Sequence, residues 1–292
     1  MTLRNKRVSV AGKGTVTIRH AYTRLAAAIA FVLIVLSLGA DVMSQQILHT
    51  HPSRQDLQHA YLPPFSDGHL LGTDSLGRDI LTRCLHGGRT SLGLALVVAI
   101  GAVFVGAALG ILAGYYGGPV DDTINFVLQT LRGVPAFFVL VGLATVVTPS
   151  LPSLSAVLIL LGWTSACRQV RGVTLGVRQA AYCEAAVALG ASDWHIMWRH
   201  IVPNTGPILS VLFGLTFAAA LLAESSLSFL GFGVQPPTAS WGNMLNAGLR
   251  NMSRSSQLVV VPGALIMLSV MCVFILVDAP HNDTDARSRP PR

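Results

Sequence analysis

Glutamate is all but missing from this chain: Glu184 and Glu224 are the only two among 292 residues. Lysine is equally scarce, at Lys6 and Lys13, and charged residues of every kind make up 11%. A soluble domain carries about 25%, so this sequence lacks the polar surface to cover itself against water. With 52% hydrophobic residues and a mean hydropathy of +0.59, it belongs in a bilayer. Arginine dominates the remaining charge, but no basic stripe is interleaved with aromatics, which argues against a nucleic-acid partner. Cysteine is limited to Cys84, Cys167, Cys183 and Cys272, far apart and without a CxxC pair. These read as small polarizable core residues, not as a disulfide framework or a metal site. No GxxxxGK[ST] occurs, and the GKGT at 12–15 lacks the glycine spacing, strand and helix of a phosphate cradle. The chain therefore binds no nucleotide cofactor of its own and is not read as an enzyme. No intramembrane acid pair or histidine chain marks a proton relay, and no alternating ~10-residue segments mark a β-barrel.

What the sequence does have is long apolar runs. Hydropathy predicts six transmembrane helices near 21–40, 91–115, 126–147, 153–167, 207–222 and 258–277, each able to approach the ~20 residues that cross a bilayer. The expected fold is an all-α membrane protein. Residues 1–20 form a tail, 41–90 an outer loop with an amphipathic helix, 91–277 the core and 278–292 a second tail. Basic residues set the orientation. Arg4, Lys6, Arg7, Lys13, Arg19 and Arg24 precede or open the first run. Arg168, Arg171, Arg178 and Arg199 follow the fourth, and Arg287, Arg289 and Arg292 follow the sixth. Six spans put all three groups on one face, so both termini are expected in the cytoplasm. The first run reads as a retained helix, because its basic lead is long and Gly39-Ala40 offers no clean A-x-A cleavage site.

One polar interval, 168–206, interrupts this pattern, and within it residues 182–204 read YCEAAVALGASDWHIMWRHIVPN. Alanine and leucine predict a helix over 182–189. Gly190 suits the left-handed position that ends it. Ser192 is placed to cap a second helix, with Asp193 in its first turn, and Pro203 marks the next boundary. Trp194, Met197 and Trp198, at i, i+3 and i+4, predict an apolar stripe fit for another protein's groove, although the same stripe suits an interfacial helix on lipid.

Motif identity separates the two. Glu184-Ala185-Ala186, then Gly190, then Pro203 resembles the EAA loop, here 179–204, of binding-protein-dependent ATP-binding-cassette (ABC) importer permeases. Two further blocks, HLLGTDSLGRDILTRCLHGGRTSL at 69–92 and AESSLSFLGFGVQPPTASWGNML at 223–245, are similar to segments of the C-type permease in the dipeptide, oligopeptide and nickel branch. The resemblance implies a type I importer transmembrane domain in a bacterial inner membrane. It further implies a second homologous permease, two cytoplasmic ATPase subunits that hold ATP and magnesium, and an extracytoplasmic binding protein. Small peptides are the implied cargo, with nickel or another small solute as the alternative. In the family this loop carries the coupling helix that sits in a cleft of the ATPase. That assigns coupling to Glu184, Ala185, Ala186, Gly190, Ser192, Asp193, Trp194, Met197, Ile201 and Pro203. A gradient-driven carrier would show inverted repeats and broken helices, which are not evident; a membrane scaffold is the remaining rival.

The outer blocks carry Gly72, Thr73, Asp74, Gly77, Arg78 and Asp79, and then Glu224, Gln235, Pro236, Pro237, Trp241 and Gly242. Apolar Ile80, Leu81, Cys84 and Leu85 with Arg78, Arg83 and Arg89 predict a surface helix over 78–89 before the chain turns inward. Gly72 and Gly77 suit tight turns around Asp74. Gln235-Pro236-Pro237 predicts an extended stretch, and Glu224 falls at the outer end of the fifth helix. These blocks read as scaffold first, with an outer gate or receptor contact as the functional alternative. His49, His51, His59 and His69 match no metal-ligand spacing. Two positions depart from the family: Arg132 and Gln129 stand where an uncharged residue and an aspartate are usual. The tail VDAPHNDTDARSRPPR also departs from the usual ending.

Overall fold

The computed structural model describes residues 22–42, 44, 51–66, 68–135, 138, 139, 142 and 150–278. Both tails, His49 and most of the third expected span beyond Pro135 lie outside the described residues. The described chain is helical: α1 Tyr22–Leu38, α2 Ile80–Tyr116, α3 Gly118–Gly133, α4 Leu151–Arg178, α5 Ala181–Ala188, α6 Asp193–Phe229, α7 Trp241–Leu249 and α8 Gln257–Asp278. Four of these, α2, α4, α6 and α8, are long and apolar enough to cross a membrane, and α1 is apolar but shorter.

Helices α2, α4 and α6 start earlier and end later than hydropathy predicts, because their ends carry charge that the fold satisfies. Helix α2 has 37 residues and is continuous from Ile80. The expected surface helix over 78–89 is therefore its first turns, and the chain does not bend inward at 90. No proline interrupts it, and Asp79 caps it by accepting from the Thr82 N–H at 2.7 Å. Arg83, expected on a polar face, is buried; its guanidinium donates to the Pro52 carbonyl at 3.2 Å and stands 3.8 Å from Asp74. Helix α4 likewise runs on to Arg178, so Arg168, Arg171 and Arg178 sit on a helix and not in a loop. Arg171 grips Asp121 of α3 through two N–H···O bonds of 2.5 Å, a fork geometry that adds direction to charge. Helix α3 begins at Gly118, and Arg132 stands in its last turn, away from the start of the span where it was expected.

Pro203 does not end a helix either. The turn Met197–Ile201 is a π-helical widening, with the Val202 N–H reaching Met197 O. A π turn relieves the clash and the lost donor that a proline brings to a regular helix, and α6 continues unbroken to Phe229.

Close approach of α2 and α4 rests on glycine. A Cβ on Gly106 would lie 2.6 Å from Ala166 Cβ, on Gly110 2.6 Å from Cys167 O, and on Gly114 2.7 Å from Thr174 Cβ. Small residues at every fourth position let helix backbones touch where lipid offers no hydrophobic drive. Around this seam Leu94, Ala95, Val98, Leu158, Leu221, Ile266 and Trp241 form the main core. Helices α2 and α4 run parallel, α6 returns against them, and α8 runs back. One end of the bundle therefore carries α5 and the start of α6. The other carries segment 51–79 and the stretch from 230 to 256.

Candidate functional site

The elbow between α4 and α6 is built by local rules. Helix α5 closes on Gly190 at φ +84: the Gly190 N–H reaches Val187 O at 2.9 Å and the Ala191 N–H reaches Ala186 O at 3.0 Å. This paired closure requires the left-handed residue that glycine supplies. No atom lies within 4 Å of a Cβ added there, so the demand is conformational and not steric. Ser192 then caps α6, accepting from the His195 N–H at 3.4 Å.

Beneath the elbow Cys183, Ile196, Met197 and Ile201 bury against Tyr115 at the end of α2. Met197 and Ile201, expected to face a partner, instead anchor the elbow to the bundle. Both lie on the side of the chain that faces the Tyr115 cluster, opposite the exposed indoles. Burial holds the Cys183 thiol above its ordinary range, so it serves as a protonated apolar group. Asp193 does more than favour the helix start: its Oδ1 accepts the Tyr115 hydroxyl at 2.7 Å. Arg178, at the end of α4, lies 5.7 Å over the Tyr115 ring.

The outward side of the elbow is apolar. Leu189 is 88% exposed and Trp194 67%, and Tyr182, Val187 and Trp198 are about half exposed. The two indoles meet edge to face at 5.4 Å. Glu184 and Ala185 stand exposed on α5 while Ala186 is half-buried. Between the elbow and the ends of α2 and α4 lies a cleft of about 540 Å³, lined by Tyr116, Leu175, Arg178, Glu184, Val187 and Asp193. An exposed aromatic pair on a buried brace is a surface made to be covered.

The outer-block residues gather at the opposite end and form a knot. Thr73 is buried, donating to His59 O at 2.5 Å and accepting from the Leu62 N–H at 2.9 Å. Asp74 accepts from the N–H groups of Leu76 and Arg78 and from Arg78 Nε at 2.7 Å. Asp79 adds His69 at 2.8 Å to its capping bond. Gly77, at φ +69, passes so close to Asp56 that a Cβ would lie 1.7 Å from its carbonyl oxygen. Gly72, at φ +76, stands in the same relation to Leu62 O, at 2.2 Å. Glu224 lies at the outer end of α6 as expected, five residues before Phe229, and is fully buried, accepting from Ser228 Oγ at 2.7 Å and Ser225 Oγ at 3.4 Å. Gly242 packs on Ser225, and Gln235 folds back on the carbonyls of Gly231 and Gly233. Pro236 and Pro237, joined by a cis peptide, lie in a turn where an extended stretch was expected.

The match that places this architecture covers residues 106–282, which fit the family of binding-protein-dependent transport system inner membrane components. The chain belongs to that family. It is the permease subunit of an ABC importer, and ATP hydrolysis belongs to separate subunits. The chain is 33% identical over 283 residues to the oligopeptide transport system permease protein OppC of Mycobacterium tuberculosis, covering 96% of each chain. It is 36% identical over 237 residues to the dipeptide transport system permease protein DppC of Bacillus subtilis, covering 81% of this chain and 74% of that protein. A solved structure, the crystal structure of an amino acid ABC transporter with histidines, superposes with a TM-score of 0.54 at 16% identity, covering 70% of this chain and 94% of that one. That likeness carries the importer fold. Tyr115, Asp121 and Arg83 were missed as site or frame residues. The one sequence cue was the Tyr115-Tyr116 pair closing an apolar run, as interfacial aromatics do.

Proposed function

We propose that this permease forms half of the pathway that imports small peptides across a bacterial inner membrane, and that the elbow couples it to ATP hydrolysis. The relatives named for oligopeptide and dipeptide transport support the cargo. A second permease supplies the other half of the pathway. An extracytoplasmic binding protein delivers the peptide, and two ATPase subunits, holding ATP and magnesium, grip the elbow from the cytoplasm. Arginines near the elbow, and basic residues in both tails, favour that face and both termini as cytoplasmic.

The observation that carries this reading is the pairing of exposed Trp194 and Trp198 with buried Ile196, Met197 and Ile201 on one short stretch. Force applied to the indoles enters α6 directly, because the helix runs on through the π turn and past Pro203 and Pro207. Closure of the ATPase dimer then tilts α6 and changes which side the pathway faces. Reconstitution of the whole importer with Gly190→Val tests it. Valine at φ +84 is strained, so the elbow shifts. The expected result is loss of peptide uptake and of peptide-stimulated ATPase activity, with the permease pair still assembled in the membrane. Uptake equal to wild type would remove the elbow from the mechanism.

A further inference from the structure

Among the described residues, a side-chain hydrogen bond joins the elbow to a helix far from it in sequence. Tyr115 and Asp193 are 78 residues apart, joined at 2.7 Å, the phenol donating and the carboxylate accepting. The tyrosine ring is buried in the cluster that holds Cys183 of α5 and Ile196 of α6, while Arg178 of α4 covers its face. Four elements, α2, α4, α5 and α6, therefore meet at one side chain.

Helix α2, which carries Tyr115, is a single rod of 37 residues, roughly 55 Å long at 1.5 Å per residue. Its other end is fastened in the same manner. The Trp241 indole N–H donates to Cys84 O at 2.9 Å, and the Trp241 amide donates to Ser91 Oγ at 3.2 Å. Gly87 and Gly88 let the indole lie against the helix, since a Cβ on Gly88 would come within 2.9 Å of its ring. A rod pinned at both ends carries a displacement along its length; one released at either end does not.

The geometry points to Tyr115 as a positioning residue that passes the elbow's movement into α2, so that the turn before α7 at the far end moves with the ATPases. This rests on the elbow being the coupling site, and it adds a second route beside the direct one through α6. Removing the hydroxyl keeps the ring, its packing and the cation above it, and cuts only the polar link.

The test uses the full importer in liposomes, with a dipeptide as the probe. Peptide moved per ATP hydrolysed is compared for wild type, Tyr115→Phe, Asp193→Ala, Asp193→Asn and the double variant Tyr115→Phe with Asp193→Ala. Tyr115→Phe is expected to lower that ratio about tenfold, the factor carried by one hydrogen bond to a carboxylate. The maximal rate should fall while the half-saturating peptide concentration stays put. Asp193→Asn keeps an acceptor oxygen and should hold the ratio near wild type. The double variant should be no worse than either single loss.

A wild-type ratio in Tyr115→Phe overturns the proposal, as do fully additive losses in the double variant. Failure of the Tyr115→Phe permease to co-purify with its ATPases also overturns it, because the hydroxyl would then hold the elbow's shape and not transmit its movement. None of these results touches the elbow reading itself, which stands or falls on Gly190→Val.

Discussion

Trp241 and Cys84, 157 residues apart, are joined by an indole N–H to carbonyl bond of 2.9 Å at the end of the bundle opposite the elbow. The indole is 1% exposed and fills the notch that Gly87 and Gly88 leave in α2. Trp241→Phe is expected to cost about 1 kcal/mol, the net worth of the bond. Trp241→Ala should cost about 3–5 kcal/mol, because the notch becomes a cavity. Thermal unfolding in detergent, followed by helical circular dichroism, ranks the two.

Two glycines with almost the same backbone should respond differently to alanine. Gly190 and Gly77 have φ of +84 and +69, but open space surrounds the first and the Asp56 carbonyl stands 1.7 Å from a Cβ on the second. Gly190→Ala should cost about 1–2 kcal/mol, the penalty for a side chain in the left-handed region. Gly77→Ala adds a backbone collision that cannot relax without dismantling the Asp74 turn, and more than about 4 kcal/mol is expected. The fraction of monodisperse permease extracted from membranes reads the difference directly.

Features governed by neighbours along the chain are legible in the amino-acid sequence. The Gly190 closure, the Ser192 cap and the apolar runs follow from rules that act between near neighbours along the chain. Helix ends are not legible, because hydropathy stops at a charge while a helix need not. Arg171 reads as a residue beyond the fourth run and is a helix residue, since Asp121 meets its guanidinium group; Arg83 reads as the polar face of a surface helix and is buried, since Pro52 O meets its own. Glu224 reads as an end residue and lies in the last two turns of α6, but its full burial on Ser228 is not legible. Met197 shares an apolar stripe with Trp194 and Trp198 in the sequence, but spacing alone does not say which edge of that stripe the Tyr115 cluster covers, and it covers Met197. The Tyr115–Asp193 bond cannot be read from the sequence at all, because nothing at either position announces a partner so distant.

Asp41 ties α1 to α2 and should do so in a pH-dependent way. Its carboxyl is held below the ordinary 3.8, chiefly by the hydrogen bond from His86 and then by Arg89. The folded state binds its proton less readily than the unfolded one, so the contribution is complete above the ordinary value. It is lost as pH falls through the lowered one. Asp41 is half exposed, which limits the effect to under about 1 kcal/mol. Asp41→Asn should lower the unfolding midpoint slightly at pH 7, by a difference that shrinks as pH falls below 3.8.

Within one turn of α6 an exposed aromatic face and a buried apolar face stand side by side. Trp194 and Trp198 are 67% and 55% exposed, whereas Met197 is 8% exposed on the Tyr115 cluster. Exposed tryptophans that become covered in a complex are frequent anchors, each worth about 2 kcal/mol or more when cut to alanine. Trp194→Ala with Trp198→Ala is therefore expected to weaken capture of the ATPase subunits by about two orders of magnitude or more, with the permease's own unfolding midpoint nearly unmoved. Met197→Ala should do the reverse, lowering stability by about 2–5 kcal/mol through the cavity it opens. Its effect on capture, measured at a temperature where the variant remains folded, should be small. Equal losses of capture and stability in both variants would mean that the elbow is a single packed unit with no face reserved for a partner. Measuring both quantities on both variants, in the same detergent, decides between the two.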